Sequence, residues 1–325
     1  MKVSILASAV DYGTRSISET YKQAIQPTSS LTLTRGFKKL KPEDLLRVTS
    51  FLALNWLCRN TVLCMFNAPV LLGGLFPLPR FSRWVGFLEW NELLAPSGQH
   101  IPLFSFYDRI YKTAFRRLSG LYSPAPDFIK LYEGKGIAIQ RCDCPLPPPH
   151  QVPFRPQLAP KTKVLFVGAD YVRKGGDILL QEWARLRPAN ATLTFVCPHP
   201  PEAEIENVIF RRDIRAGTPE QQTLFLDHDI YVLPTRKDSY GFAILEALNS
   251  GMSVISSSEA GAAHVVSDFG GSVSATPEGT VAALFAHLER RDAIQAAREA
   301  CQAYLPVYRN RVKQSLAEIL GIPRF

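Results

Sequence analysis

The six cysteines form no pair of C-x-x-C motifs, no run of about 20 apolar residues goes uninterrupted, no G-x-G-x-x-G follows the first apolar segment, and there is no internal repeat or low-complexity tract. Each absence removes a class. Cys142-x-Cys144 lacks the partner pair a zinc site needs, so Cys58, Cys64, Cys142, Cys144, Cys197 and Cys301 read as free thiols of a reducing cytoplasm. The most apolar stretch, residues 51–78, is broken by Asn55, Arg59, Asn60 and Asn67. It reads as a buried helix, a turn and a buried strand rather than a membrane span. The apolar run after Met1-Lys2 is shorter than a signal peptide of about 15–30 residues and reads as a first strand entering a glycine turn. No Asp-x-Asp pair stands at the end of an expected strand, so no metal site is assigned.

What is present describes an ordinary globular chain. With 325 residues, 46% hydrophobic and 20% charged, it has the length for two domains and the apolar content to bury a core without disulfides. The charge is one-sided. Residues 1–150 hold 18 basic and 10 acidic residues, and the remainder holds 19 of each, so the whole net charge of +8 belongs to the first half. Such asymmetry calls for an anionic partner on that half. No nucleic-acid module is recognisable, which leaves an anionic membrane surface or an acidic glycan or lipid acceptor.

The pattern predicts α/β structure. In the first half, strands are expected at 2–10, 61–66, 84–88 and 137–140, and helices at 16–25, 42–57 and 106–118. The proline-dense segment 145–153 lacks backbone donors and reads as a linker. The second half alternates strictly: strands at 163–167, 193–197, 208–210, 230–233 and 253–256, with helices at 176–187, 219–228 and 242–250 between them. Helices at 279–289, 292–303 and 308–320 follow. This alternation implies parallel βαβ units. The expected domains are 1–150 and 151–308, with 309–325 as a C-terminal helix packing back on the first. In open parallel sheets ligands sit outside the carboxyl ends of the strands, which directs attention to loops 168–176, 234–242 and 257–263.

Loop 168–177 reads GADYVRKGGD, with Arg173 and Lys174 beside Gly175-Gly176 at a helix start. Backbone N–H groups, the helix dipole and two cations suit a diphosphate there; a solvated basic turn with a glycine cap accounts for the same residues. The run from Asp238 reads DSYGFAILEALNSGMSVIS. Asp238 precedes a helix, and Glu246 lies eight residues later among apolar neighbours. Carboxylates accept bidentate bonds from vicinal hydroxyls, as on a ribose. A capping Asp and a surface Glu on an amphipathic helix are the plainer reading.

Together these two motifs resemble the donor domain of GT-B glycosyltransferases, and most closely glycosyltransferase family 4, over about residues 163–273. The resemblance implies two Rossmann-like domains facing a central cleft. It also implies a nucleotide-sugar donor and sugar transfer with retention to a glycan or lipid-linked acceptor, with no cofactor and no obligatory metal. On that likeness Glu246 binds the ribose hydroxyls. Asp238 contacts the donor sugar, helped by the backbone near Tyr240, Gly241 and Phe242. Lys174 and Arg173 neutralise the diphosphate beside Gly168, and Gly13 approaches the distal phosphate. The loop with Gly261 and His264 closes over the donor. Asp238 stands where the family has Glu, and Ala169 where it has Arg. Glu89 or Asn91 lies where a His follows the strand near residue 88.

The first half would carry the acceptor. Lys38, Lys39, Lys41 and Arg47 form one basic cluster and Arg109, Lys112, Arg116 and Arg117 another; with Phe37, Phe81, Trp84 and Phe115 nearby they suit peripheral docking at the inner face of the membrane, or simply a solvated basic face. The rival classes are a sugar-nucleotide epimerase or phosphorylase-like enzyme on the same fold and a non-catalytic sugar-nucleotide-binding protein. A nicotinamide-dependent oxidoreductase is disfavoured by the missing glycine fingerprint.

Overall fold

The computed structural model describes residues 3–8, 12–33, 41–58, 60–65, 73–74, 83–87, 104–134, 136–150, 154–238 and 240–321. The chain divides into two compact units, Met1–Pro145 with Asn310–Phe325, and Leu146–Arg309.

The first unit builds a parallel sheet in the order β2-β1-β3-β4-β5-β6. Its strands are β1 (Val3–Ser8), β2 (Ser29–Leu33), β3 (Thr61–Met65), β4 (Trp84–Phe87), β5 (Gly120–Ser123) and β6 (Gln140–Arg141). Its helices are α1 (Tyr12–Ile25), α2 (Pro42–Leu57), α3 (Phe104–Arg117) and α4 (Pro126–Glu133). Every residue of β3 and β4 is buried, as expected of strands covered on both faces. One face of the sheet is closed by Val48 and Leu52 of α2, Ala114 and Phe115 of α3, and Tyr132 of α4, all in a single core cluster. Thr61 Oγ1 and Arg83 Nε donate to the carbonyls of Leu320 and Ile319, which tie down the chain's last helical turn.

The second unit repeats the plan in the order β12-β11-β10-β7-β8-β9, all parallel. The strands are β7 (Thr162–Val167), β8 (Ala191–Val196), β9 (Val208–Arg211), β10 (Ile230–Leu233), β11 (Ser253–Ser257) and β12 (Ser272–Ser274). The helices are α5 (Gly176–Leu186), α6 (Pro219–Asp227), α7 (Phe242–Asn249), α8 (Ala263–Asp268), α9 (Pro277–Leu288) and α10 (Arg291–Leu320). The sequence starts α6 and α9 in the same way. Thr218 and Thr276 cap them by accepting from the amides of Gln221 and Gly279, and a proline follows at the first helical position, where its missing N–H costs nothing. The core between sheet and helices is built on Phe166 stacked on Phe195 at 4.4 Å, with Trp183, Leu179 and Leu193 fully buried.

A buried carboxylate is held inside that unit. Asp229, fully buried, accepts from the amide of Lys163 at 2.9 Å and from Arg155, and lies 3.6 Å from Arg298, itself 2% exposed. A buried carboxylate needs such partners, because unpaired it would favour the unfolded state by several kcal/mol, on the order of 3–5. The sequence ends the last helices at 303 and begins another at 308; the structure runs one helix through Pro306. A lone proline removes one backbone bond without ending a helix whose neighbours hold it in place.

Candidate functional site

Strand order fixes where a ligand can sit. From β7 the chain moves by way of α5 to β8 and β9 on one side; after α6 it returns to β10 on the other side of β7. The carboxyl ends of β7 and β10 therefore flank a topological switch point, where the following loops diverge and leave a crevice. Those are the loops that carry Lys174 and Asp238.

Glycine geometry brings the loops together. Gly175 has φ +73°, and a Cβ there would stand 1.7 Å from the carbonyl oxygen of Pro234. Only glycine allows loop 168–176 to lie against the start of loop 234–241. A Cβ on Gly168 would meet the Lys174 stem and the Phe166 ring at 3.0 Å, so the bare backbone at 168 makes room for the lysine. Hydrogen bonds then lace the loops. The Arg236 amide donates to the Arg173 carbonyl at 2.9 Å, and the Arg173 guanidinium donates to the Lys237 carbonyl at 2.6 Å and to Asp170 at 3.2 Å. Arg236 grips Asp177 of α5 with both nitrogens, at 2.7 and 2.8 Å. The third loop joins through Asp238, whose amide donates to the Glu259 carbonyl while its carbonyl accepts from the Gly261 amide, both at 3.1 Å. The Ala262 amide donates to Tyr240 at 2.7 Å.

Within this frame Lys174 Nζ lies 3.0 Å from Asp238 Oδ2, with the side chains only 18% and 11% exposed. Glu246, on α7, is half-buried and accepts from Gln221 Nε2 of α6 at 3.2 Å. Gly241, at φ +87°, turns the chain into α7, and Tyr240 is buried with its ring 5.1 Å from that of Phe242. Both acids act on one buried group. Burial, then the charges of Asp238 and Glu246, push the Tyr231 phenol on β10 well above its ordinary pKa. A cation, two carboxylates and a set of glycine-shaped amides thus gather at the carboxyl end of the sheet, a composition that suits a phosphorylated polyol.

The expected residues distribute as follows. Lys174, Asp238, Gly168 and Gly241 converge on the laced loops. Arg173 lies there too, 45% exposed, with its guanidinium engaged in bracing the loops. The Gly261 amide bonds Asp238, and His264 Nδ1 donates to the Gly261 carbonyl at 2.9 Å. Gly13 falls in the first turn of α1, which begins at Tyr12 rather than near residue 16. Glu89, Asn91, Lys38, Lys39, Phe37 and Phe81 lie outside the described residues, as do the side chain of Arg109 and the segment 66–72 of the apolar stretch. Sequence reasoning missed Gly175's close approach to Pro234, the Arg236–Asp177 brace and Gln221. Gln221 lies 25 residues from its partner Glu246, and nothing local marks it.

Two parallel six-stranded sheets, each in doubly wound α/β order, make this a GT-B fold, the fold of the similar solved structures. Residues 161–291, which contain the three laced loops, match the family described as glycosyl transferases group 1. Among solved structures, WaaG, a glycosyltransferase involved in lipopolysaccharide biosynthesis, is similar with 17% identity and a TM-score of 0.58, over 98% of this chain and 100% of that one. Anabaena HepE in complex with UDP is 14% identical with a TM-score of 0.65, over 99% and 100%. An E. coli trehalose-6-phosphate structure bound with UDP-2-fluoro glucose is 10% identical with a TM-score of 0.64, over the whole of both chains. No curated protein matches the sequence.

Proposed function

We propose that the protein transfers a hexose from a nucleotide sugar to a hydroxyl of a glycan or lipid-linked acceptor, with retention at the anomeric carbon, at the cytoplasmic face of a membrane. The observation that carries this reading is the Lys174–Asp238 pair at the switch point, with Glu246 on the adjoining helix. Each group has one task. Glu246 accepts from the ribose hydroxyls, as a carboxylate does in other α/β nucleotide sites. Asp238 accepts from a hydroxyl of the sugar, and the backbone at Gly241 and Phe242 orients it. Lys174 faces the diphosphate.

Negative charge grows on the diphosphate as the glycosidic bond breaks. A fixed ammonium aimed at it lowers the barrier more than it stabilises the bound donor. The acceptor hydroxyl attacks from the face the leaving group departs and gives its proton to the departing phosphate oxygen. Lys174, with Arg173 behind it, takes the part a divalent metal plays elsewhere, so transfer should persist in a chelator. Two of the similar structures carry UDP or a UDP-sugar analogue, which makes uridine diphosphate sugars the first donors to try. The excess positive charge of residues 1–150 supports an anionic acceptor or surface for the first unit.

Saturation-transfer NMR with UDP, ADP, GDP and their sugars on wild type and Glu246→Ala tests the reading. One nucleotide should bind and lose at least about tenfold in affinity in the variant, the value of a charge-assisted hydrogen bond. A folded protein that binds none of them would overturn it.

A further inference from the structure

The sequence places Trp84 and Phe115 among the aromatics of a docking surface, and the structure removes them: they are 0% and 3% exposed, inside the core. The first unit nevertheless shows an apolar surface. All its exposed large apolar side chains among the described residues lie on α2: Leu45, Leu46, Leu54 and Leu57, at 44%, 69%, 60% and 71%. Helical periodicity explains why they are not core. At 3.6 residues per turn, Leu46, Leu54 and Leu57 fall within about 80° of one another, opposite Val48, Leu52 and Asn55, which are buried. The helix carries leucines on two faces, and among the described residues one of them packs into the core. Leucines exposed on one helix face, with Ser50 between Leu46 and Leu54, mark an interaction site.

Charge selects the occupant. Arg47 is exposed at the edge of the leucine face, and Arg116 and Arg117 are exposed at the end of α3. Helices α2 and α3 bury side chains in the same core cluster, so they cover the same face of the sheet and their outer surfaces look the same way. The nearby acids are held by Lys41: Glu43 lies 3.8 Å from its ammonium, and Asp44 accepts from its amide at 3.0 Å. Leucines with Arg47 at their edge and Arg116 and Arg117 on a helix that covers the same sheet face, on the half of the chain that holds the entire net charge of +8, match a surface that is apolar beneath and anionic above. No helix among the described residues is long and apolar enough to cross a membrane, so contact would be interfacial.

We propose that the outer face of α2 docks the first unit onto an anionic lipid surface, with Leu46, Leu54 and Leu57 entering the boundary between headgroups and acyl chains and Arg47, Arg116 and Arg117 meeting the headgroups. This gives residues to the membrane-face part of the proposed function and rests on it. The donor site of the second unit plays no part.

The test uses vesicle flotation and a built-in reporter. Cys58, one residue beyond Leu57, is exposed, whereas the other five cysteines are buried, so a polarity-sensitive thiol dye reacts at Cys58. Labelled protein should float with phosphatidylcholine–phosphatidylglycerol vesicles (about three to one), its dye shifting to the blue. It should partition onto pure phosphatidylcholine on the order of 100-fold less, three arginines contributing about fivefold each. The triple variant Leu46→Gln, Leu54→Gln, Leu57→Gln should lose at least about 100-fold in partitioning. It should keep its melting temperature and its nucleotide binding. Equal flotation of the triple variant, or a dye that stays in water while the protein floats, would overturn the proposal. So would a leucine-dependent dimer in sedimentation equilibrium without lipid, which would make the patch a contact between copies. Failure of every nucleotide to bind, with flotation as expected, would strike the donor reading and leave the docking face standing.

Discussion

Replacing Gly175 by alanine asks whether backbone contact between two loops sets the site. Two costs are expected. The first is conformational: at φ +73° an L-residue carries about 1–2 kcal/mol of strain. The second is steric. The new Cβ would stand 1.7 Å from the Pro234 carbonyl oxygen, and real Cβ contacts essentially never fall below 3.0 Å, so the loops must part by about 1.3 Å. That movement stretches the Arg236–Arg173 backbone bond from 2.9 Å and the Arg173–Lys237 bond from 2.6 Å. Losing two hydrogen bonds adds about 2 kcal/mol. The sum, about 3–4 kcal/mol, should lower the melting temperature by roughly 8–12 °C in a unit of this size.

Gly241→Ala supplies the control inside the same unit. Its φ of +87° carries similar strain, but its Cβ would meet side chains alone, the nearest being the Ile244 tip at 3.3 Å. It should cost about 1–2 kcal/mol and roughly 3–6 °C. Differential scanning calorimetry of both variants measures the contrast. Equal losses would refute the argument that carbonyl contact, rather than left-handed strain, makes glycine obligatory at 175.

Lys174→Ala, Asp238→Ala and the double variant form a thermodynamic cycle. The pair is mostly buried at 3.0 Å, so chemical denaturation should show a coupling of about 1–3 kcal/mol, and strict additivity would mean that the contact does not bind the loops. His228 supplies a pH prediction. Burial holds its imidazole below the ordinary value against the opposing Leu224 carbonyl, and its ring sits 2.6 Å from that carbonyl and 2.8 Å from Thr194 Oγ1. The unfolded chain therefore takes the proton first. Stability is full above about pH 6.5 and falls as pH drops below it, and His228→Gln should flatten the melting profile between pH 7 and 5.

The second unit was legible because its apolar runs alternate with amphipathic ones at even spacing. Strand β10 and the start of α7 stand where Ile230 and Phe242 put them in the sequence. The first unit hid more. Strand β2 reads SSLTL on the sheet's edge, too polar and exposed to resemble a covered strand. Helix α4 begins in Ser-Pro-Ala-Pro, where the prolines suggest a loop although the second one starts the helix. Strand β5 has four residues, the first of them glycine. Of the candidate site, the sequence singled out Lys174, Asp238 and Glu246 by residue type, and the structure brings the first two to 3.0 Å of each other. The lacing was not legible, since main-chain bonds such as Asp238 to Glu259 and Gly261 leave no mark on composition. The leucine face of α2 was equally hidden, because an exposed leucine and a core leucine share one letter.

The Lys174–Asp238 contact has a consequence for turnover. While the ammonium and the carboxylate satisfy each other, the pair is electrically quiet. A ligand gains little by engaging only one of them, because the other is then stranded in a mostly buried place. On the proposed reading, an intact nucleotide sugar offers phosphate to one and hydroxyls to the other, and so releases both at no net loss. The nucleoside diphosphate left after transfer offers phosphate alone. The lysine and aspartate can then close on each other, so their contact competes with the product and helps the spent carrier leave.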